Sequence, residues 1–461
     1  MVIVSTNTRY ANQPLINGKE NKQIFFAQTL PVSFGRNTSG DRFTSCSYEV
    51  LDKNDKLFTP EVNQRLQRFI QDFKNNRLSK HLLFRELGTG YQGKVFLIPD
   101  LNITVKLSHT EKKKGIPVDL NCNFENESNI LKQMPLKGTH NQKLVARLKI
   151  DDGLYALITT RVKGIPLDSM HITKQQLNSL LNEMFVLDKA RIMHCDLRDN
   201  NIMTNDNQVG IIDFGSSFIF DQFVEPYNIK YGDDFYQHPA FWPPSNVRFF
   251  DFHTILPTYF ERTKSDGKEK ALGFFIDYLK LRSDYHSKRA DLFYEEMSKG
   301  IDNNKLTTEQ CKQLKESIKY ERLQAKIFRN PSKKMAELEI SKIFMDYLDH
   351  KSLCASFDGL QIKALAFKKQ TLDAAKQFRD NINTLLLQED LNNNEKMFLA
   401  FQKRFVDFYE YDVITPKYKE DFIKKFGNVL YDNEVLKNSI QLLYLQSSAE
   451  DSYLIQNQKV A

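Results

Sequence analysis

No stretch of the 461-residue chain approaches the about 20 consecutive apolar residues that a membrane span needs; Val95-Phe96-Leu97-Ile98 and Leu385-Leu386-Leu387 are typical of its apolar runs. The start, Met1-Val2-Ile3-Val4-Ser5-Thr6-Asn7, lacks a basic segment followed by a long apolar core, so no secretory signal peptide is expected. Cysteine is scarce. Cys46, Cys122, Cys195, Cys311 and Cys354 are odd in number, far apart and without metal-ligand spacing. That favours free thiols in a reducing, cytosolic compartment over a disulfide framework. No internal repeat is present, and the net charge of +7 is modest for this length. The placement of charge along the chain therefore matters more than its total.

What is there fits a globular protein. The chain is 41% hydrophobic and 27% charged, with length enough for two or three domains. Residues 1–60 are polar, rich in Asn, Thr, Ser and Gln, and are expected to have little structure of their own beyond a short strand near 23–27. Val62, Leu66, Phe69, Ile70 and Phe73 then mark one face of a helix within 61–80. Strand signals follow at 82–86, 94–98, 103–107, 144–150 and 154–160, with a helix at 123–133 between them. A long helix over 173–192 leads into short strands at 201–203 and 209–212. Beyond about residue 250 the pattern is helical, with breaks at Pro331, Gly359, Asn392-Asn393-Asn394 and Thr415-Pro416.

Three motifs carry chemistry. Gly88-Thr89-Gly90-Tyr91-Gln92-Gly93-Lys94-Val95 lies between two strand signals. A glycine-rich turn there lets the backbone close over phosphates, with Val95 over an adenine. No helix follows it directly, which argues against a dinucleotide-binding fold. Lys106 sits on the next strand, where a buried lysine needs a partner. Glu127 on the 123–133 helix can supply one; Glu125, two residues away, points elsewhere. Last, His194-Cys195-Asp196-Leu197-Arg198-Asp199-Asn200-Asn201 precedes Asp213-Phe214-Gly215 by a short span. One carboxylate as base, with an amide and a second carboxylate as magnesium ligands, is equipment for moving the γ-phosphate of ATP.

Together Gly88–Val95, Lys106, Glu127, His194–Asn201 and Asp213–Gly215 resemble the protein kinase superfamily, in its order and spacing, over about residues 80–260. The resemblance implies that Asp196 orients the acceptor hydroxyl, Asn201 and Asp213 hold magnesium, Lys106 contacts ATP and Arg198 offsets phosphate charge. Thr160, Arg161 and Val162 fall where the family's hinge offers backbone hydrogen bonds to adenine. His238–Pro244 stands where the activation segment ends, and Asp251 resembles the buried aspartate that anchors the catalytic loop. His194 is expected to brace that loop through hydrogen bonds rather than act as acid or base. There are departures. Cys195 replaces the arginine that reads an activation-segment phosphate, and Arg198 stands where Ser/Thr kinases carry lysine. Ser245 lies near the position of the family's glutamate at the segment's end.

The helical half adds a basic stripe. Lys312, Lys315, Lys319, Arg322, Lys326 and Arg329 are spaced alternately three and four apart, opposite Leu314, Ile318, Ala325 and Phe328. Such a stripe can bind an inositol polyphosphate or a phosphoinositide membrane surface. It can equally be a solvated face paired with Glu309, Glu316 and Glu321. Nucleic acid is not an expected partner, because Phe401, Phe405, Phe408, Tyr409 and Tyr411 read as helical core rather than base-stacking groups.

The expectation is an α+β protein: a two-lobed protein-kinase-like fold followed by an all-α C-terminal extension. Residues 1–60 are an N-terminal extension, 61–330 the kinase-like domain (N-lobe about 61–160, C-lobe about 161–330) and 331–461 a helical domain. The activity expected is ATP- and Mg-dependent transfer to protein Ser or Thr. The loop also resembles aminoglycoside and choline phosphotransferases, and kinase folds that transfer AMP or glutamate, or act as scaffolds, stay open. The divergent motifs with added helices resemble effector kinases that intracellular bacteria of the Legionella type inject into host cytosol.

Overall fold

The computed structural model describes residues 48–78, 84–89, 93–108, 120–168, 172–219, 228–231, 234–237, 246–303, 305–357, 360–400 and 402–403. The expected strand near 23–27, Gly90, the 238–244 segment, Thr415-Pro416 and the aromatic residues from Phe401 onward lie outside them.

The N-terminal part is built on a mostly antiparallel sheet. β1 (Glu49–Lys53) is followed by helix α1 (Pro60–Lys74), then β2 (Arg85–Thr89), β3 (Gly93–Ile98), β4 (Ile103–Ser108), helix α2 (Leu120–Lys132), β5 (Leu144–Asp151) and β6 (Leu154–Thr160). The six strands lie in the order β1-β5-β6-β4-β3-β2. β1 falls in the stretch expected to have little structure. As an edge strand it needs only one partner, and it pairs with β5 alone. Asp52 also ties it to α2, accepting from Ser128 Oγ at 2.8 Å and pairing with Lys132.

Helix α1 starts where Thr59 caps it, accepting the Val62 N–H, with Pro60 in the first turn. Its apolar face packs on one side of the sheet. Phe69 sits edge-on to Phe84 and Phe96, at 5.1 and 5.4 Å between ring centres. The two-residue period of β4 then divides its side chains. Val105 and Leu107 join Phe69 in this core, while Thr104 and Lys106 face the opposite side.

The chain continues through β7 (Ile165–Pro166), α3 (Lys174–Lys189), β8 (Ile192–Met193), β9 (Ile202–Asn205), β10 (Gln208–Ile211), β11 (Phe218–Ile219), β12 (Asn228–Tyr231) and β13 (Asp234–Gln237). Helices α4 (Asn246–Phe250), α5 (Leu256–Asp266), α6 (Lys268–Asp302), α7 (Thr308–Phe328), α8 (Lys333–Phe357) and α9 (Gln361–Leu386) complete the C-terminal part, with a π-helical turn at Asp251–Ile255 between α4 and α5. The helix breaks expected near Pro331 and Asn392 lie outside helices, and Gly359 lies outside the described residues. None of these helices is long and apolar enough to cross a membrane.

Residue 330, the expected domain boundary, falls on one such break. A single buried cluster runs across it, from Phe124 on α2 through Phe275 and Phe328 to Phe378 and Phe398. Polar groups cross the same line: Arg282 on α6 pairs with Glu339 on α8 at 3.0 Å, and Gln402 donates to Glu339 at 2.8 Å.

Candidate active site

Between sheet and helices lies a cleft with about 360 Å³ of space, into which most of the residues singled out in the sequence converge. Gly93, Val95, Lys106, Glu127, Thr160, Val162, Asp196, Arg198, Asn201 and Asp213 all line it. Gly88 is on β2 opposite Val95, and a Cβ there would meet no atom within 4 Å. Gly93 differs: its Cβ would stand 1.8 Å from the Leu107 carbonyl oxygen, so β3 and β4 meet only with glycine at that point.

Lys106 Nζ is 3.0 Å from Glu127 Oε2 and 3.0 Å from Asp213 Oδ1. Burial disfavours the lysine charge, but the Asp213 and Glu127 carboxylates outweigh it and raise its pKa. Lys106 in turn holds Asp213 below the usual carboxylate range. Burial pushes Glu127 upward, with Lys106 opposing that shift. Glu125 points away from this group, toward Arg147 at 3.5 Å.

Across the cleft, Asp196 is held by two neighbours. Asn201 Nδ2 donates to Asp196 Oδ2 at 2.8 Å and to the Asp196 carbonyl at 2.9 Å; Arg198 Nε lies 3.3 Å from the same carboxylate. Burial raises Asp196 to about 6, against the pull of Arg198. Two non-glycine residues in the left-handed region set these carboxylates, Cys195 at φ 64° and Asp213 at φ 63°. The Cys195 thiol is buried and pushed up in pKa by that burial, so it is not a poised nucleophile.

His194 is fully buried and edge-on to Phe214 at 4.8 Å. Its Nδ1 accepts the Asp196 N–H at 3.3 Å and its Nε2 meets the Ile212 carbonyl at 3.0 Å. This pattern requires the neutral ring with hydrogen on Nε2. Burial lowers its pKa to about 4, which keeps it neutral. It clips the strand before Asp213 to the loop bearing Asp196.

The donor set fits magnesium. Asn201 spends its amide hydrogens on Asp196, and its Oδ1 has no partner among the described residues. That oxygen and the Asp213 carboxylate are hard ligands. Magnesium takes one or two carboxylates and completes its shell with phosphates and water. Among the described residues no three His, Cys, Asp or Glu side chains form a cage. The metal's remaining ligands would come from a substrate.

In the segment expected to be a hinge, the Thr160 N–H donates to Lys143 O at 2.9 Å and the Arg161 N–H to Asn102 O at 2.9 Å. No group among the described residues takes the Val162 N–H, and Val162 lines the cleft.

Two supports carry no sequence signal. Gln142 accepts the Asp213 N–H at 3.1 Å and donates to Thr159 Oγ1 at 2.6 Å; Thr159 shares a 2.7 Å bond with Thr104. This polar ladder joins β4, β6 and Asp213 at the back of the cleft. The second is Asn246. Its Oδ1 accepts the His194 N–H at 2.9 Å, and its Nδ2 donates to Ile192 O at 3.0 Å and Asp188 Oδ1 at 3.2 Å. Asp251, expected to anchor this loop, is buried but binds Tyr278 and Arg282 instead. It begins the π-helical turn after α4, from which Thr254 Oγ1 donates to the Leu197 carbonyl at 3.3 Å.

Behind Asn246 runs a buried charge chain. Arg289 on α6 pairs with Asp188 at 2.9 Å and with Glu321 on α7 at 3.1 Å, and His286 meets Glu321 at 2.6 Å. Glu321 therefore faces inward with Leu314 and Ile318 and does not pair with the basic stripe. Lys312, Lys315, Lys319, Arg322, Lys326 and Arg329 are all exposed, and Lys319 pairs with Glu316 at 2.6 Å.

The chain matches no protein-family model, and no curated protein matches it.

Proposed function

We propose that this protein is an ATP- and magnesium-dependent phosphotransferase with a two-lobed protein-kinase-like fold, acting on the hydroxyl of a protein Ser or Thr. The observation that carries this reading is Lys106 held at 3.0 Å by both Glu127 and Asp213, in the same cleft as the Asp196–Asn201 pair. Two carboxylates, an amide oxygen and a fixed cation in that order match the needs of phosphoryl transfer, which is mostly positioning and charge neutralisation.

In this reading the adenine lies between Val95 and the Met203–Ile212 floor, with the Val162 N–H as donor. Lys106 meets the inner phosphates. Asn201 and Asp213 would hold magnesium, which neutralises the phosphate oxygens when bound. Asp196 accepts the proton of the acceptor hydroxyl as its oxygen bonds to the γ-phosphorus and the bond to the β–γ bridging oxygen breaks. ADP leaves, and Arg198 offsets charge on the equatorial oxygens.

The test is incubation of the purified chain with Mg, a generic basic protein and ATP labelled at either the γ- or the α-phosphate. Label from the γ position alone, lost in Asp213→Ala with an unchanged melting curve, is expected. Label from the α position would mean AMP transfer. Turnover of γ-label only with amino alcohols or aminoglycosides would mean a small-molecule kinase. Wild-type activity in Asp213→Ala would sink the assignment.

A further inference from the structure

On the far side of the hinge from Lys106 is a second pocket, with about 280 Å³ of space. This is the small end of ligand-site sizes. Its walls come from the 139–143 loop, the hinge and the β9–β10 turn. Lys143, Arg161, Lys163 and His140 line it, and no Asp or Glu side chain does so among the described residues. The whole chain has 58 acidic residues against 65 basic ones, so this imbalance is local.

Arg161 and Lys163 are not spent elsewhere. Among the described residues no carboxylate lies in ion-pair reach of Arg161 or Lys163, whereas Lys149 and Lys74, on the same part of the chain, each have one. Lys143 donates to the Thr139 carbonyl at 3.0 Å, and its half-burial works against its charge. Glu183 is the nearest counter-charge, but it is buried behind the wall, where it binds Thr139 and the His140 N–H. The neutral lining adds side-chain amides, Asn102 and Gln208 among them. Cations and amide donors on concave walls focus a positive field and suit oxyanions.

We propose that this pocket behind the hinge binds a compact anion carrying two or more phosphate groups. Lys143, Arg161 and Lys163 together carry more positive charge than one phosphate balances, and a diphosphate matches them better. The hinge is a common wall: Thr160, Arg161 and Val162 line both this pocket and the Lys106 cleft. The inference concerns binding and does not rest on the transfer reaction.

Isothermal titration of the full chain with inorganic pyrophosphate at physiological ionic strength tests it. Lys163 and His140 are exposed and line this pocket but not the cleft, so their replacement spares the fold and the Lys106 site. The affinity should fall at least about tenfold in Lys163→Glu/His140→Glu. It should fall less in Lys163→Gln, and hold in Lys106→Ala and in Lys315→Glu/Lys319→Glu/Arg322→Glu. Loss in Lys106→Ala instead would place the anion in the cleft, and loss in the triple variant would place it on α7. Undiminished binding in the double variant, or only millimolar binding throughout, would overturn the proposal.

Discussion

The Asn246 side-chain oxygen accepts the backbone N–H of His194 at 2.9 Å, across 52 residues of sequence. The same carboxamide holds Ile192 and Asp188, so one side chain fixes the strand entering the loop that bears Asp196. Asn246→Ala leaves a buried N–H and a buried carbonyl without partners. A loss of about 2–4 kcal/mol is expected from two such groups. Amide exchange at His194 should quicken, and kcat should fall while KM for ATP stays near wild type. Unchanged exchange at His194 would remove Asn246 from this role.

Asp196 titrates at about 6 because burial disfavours its charge. As a base it works only when ionised, so kcat/KM for the acceptor, which follows the free enzyme, should fall tenfold per pH unit below about pH 6 and level off above it. His194, lowered to about 4, stays neutral throughout and contributes no second limb. The stability sign is opposite to that of a salt-bridged aspartate. The folded state holds its proton more tightly than the unfolded chain, so this group's contribution weakens as pH rises from about 4 to about 6. Asp196→Asn should therefore melt no lower than wild type at neutral pH while losing transfer. A lower melting point would show that the carboxylate's bonds to Asn201 and Arg198 outweigh its desolvation.

Arg289 is buried between Asp188 and Glu321. Arg289→Met takes the arginine from two buried carboxylates and should destabilise by about 3–5 kcal/mol. The double variant Arg289→Met/Glu321→Leu relieves one of them and should recover part of that loss. Chemical denaturation of the two variants measures the difference; equal midpoints would rule out the coupling.

The basic stripe of α7 is exposed along its length, with Lys319 paired to Glu316. Reversal of Lys315, Lys319 and Arg322 to Glu should weaken co-sedimentation with anionic liposomes. Each lost cation is worth about 1 kcal/mol at a charged surface. If liposome binding is the same in wild type and variant, the stripe is a solvated face.

Much of this was legible in the sequence because it is local. Alternation on β4 separates Lys106 from Val105 and Leu107, and the helical period of α1 picks out Leu66, Phe69 and Ile70. Lys106, Glu127, Asp196, Asn201 and Asp213, which all line the cleft, were readable from their types and spacing. Gln142 and Asn246 were not. Each acts through one carboxamide on a backbone group far away in sequence, and nothing in their own neighbourhoods marks that reach. Glu321 failed differently. On a helix written as a charged face it reads as a surface partner for lysine, and only the arrival of Arg289 from α6 turns it inward. β1 was missed because an edge strand with one neighbour needs almost no pattern.

The core that runs unbroken past residue 330 has a consequence for truncation. A chain ended at the break before α8 would leave Arg282 without Glu339 and Phe328 without Phe398. The helices after that break close the same core and are not expected to keep their packing as a detached fragment. A chain carrying only the part with the recognisable motifs would have its centre open to water, and such a truncation is expected to unfold.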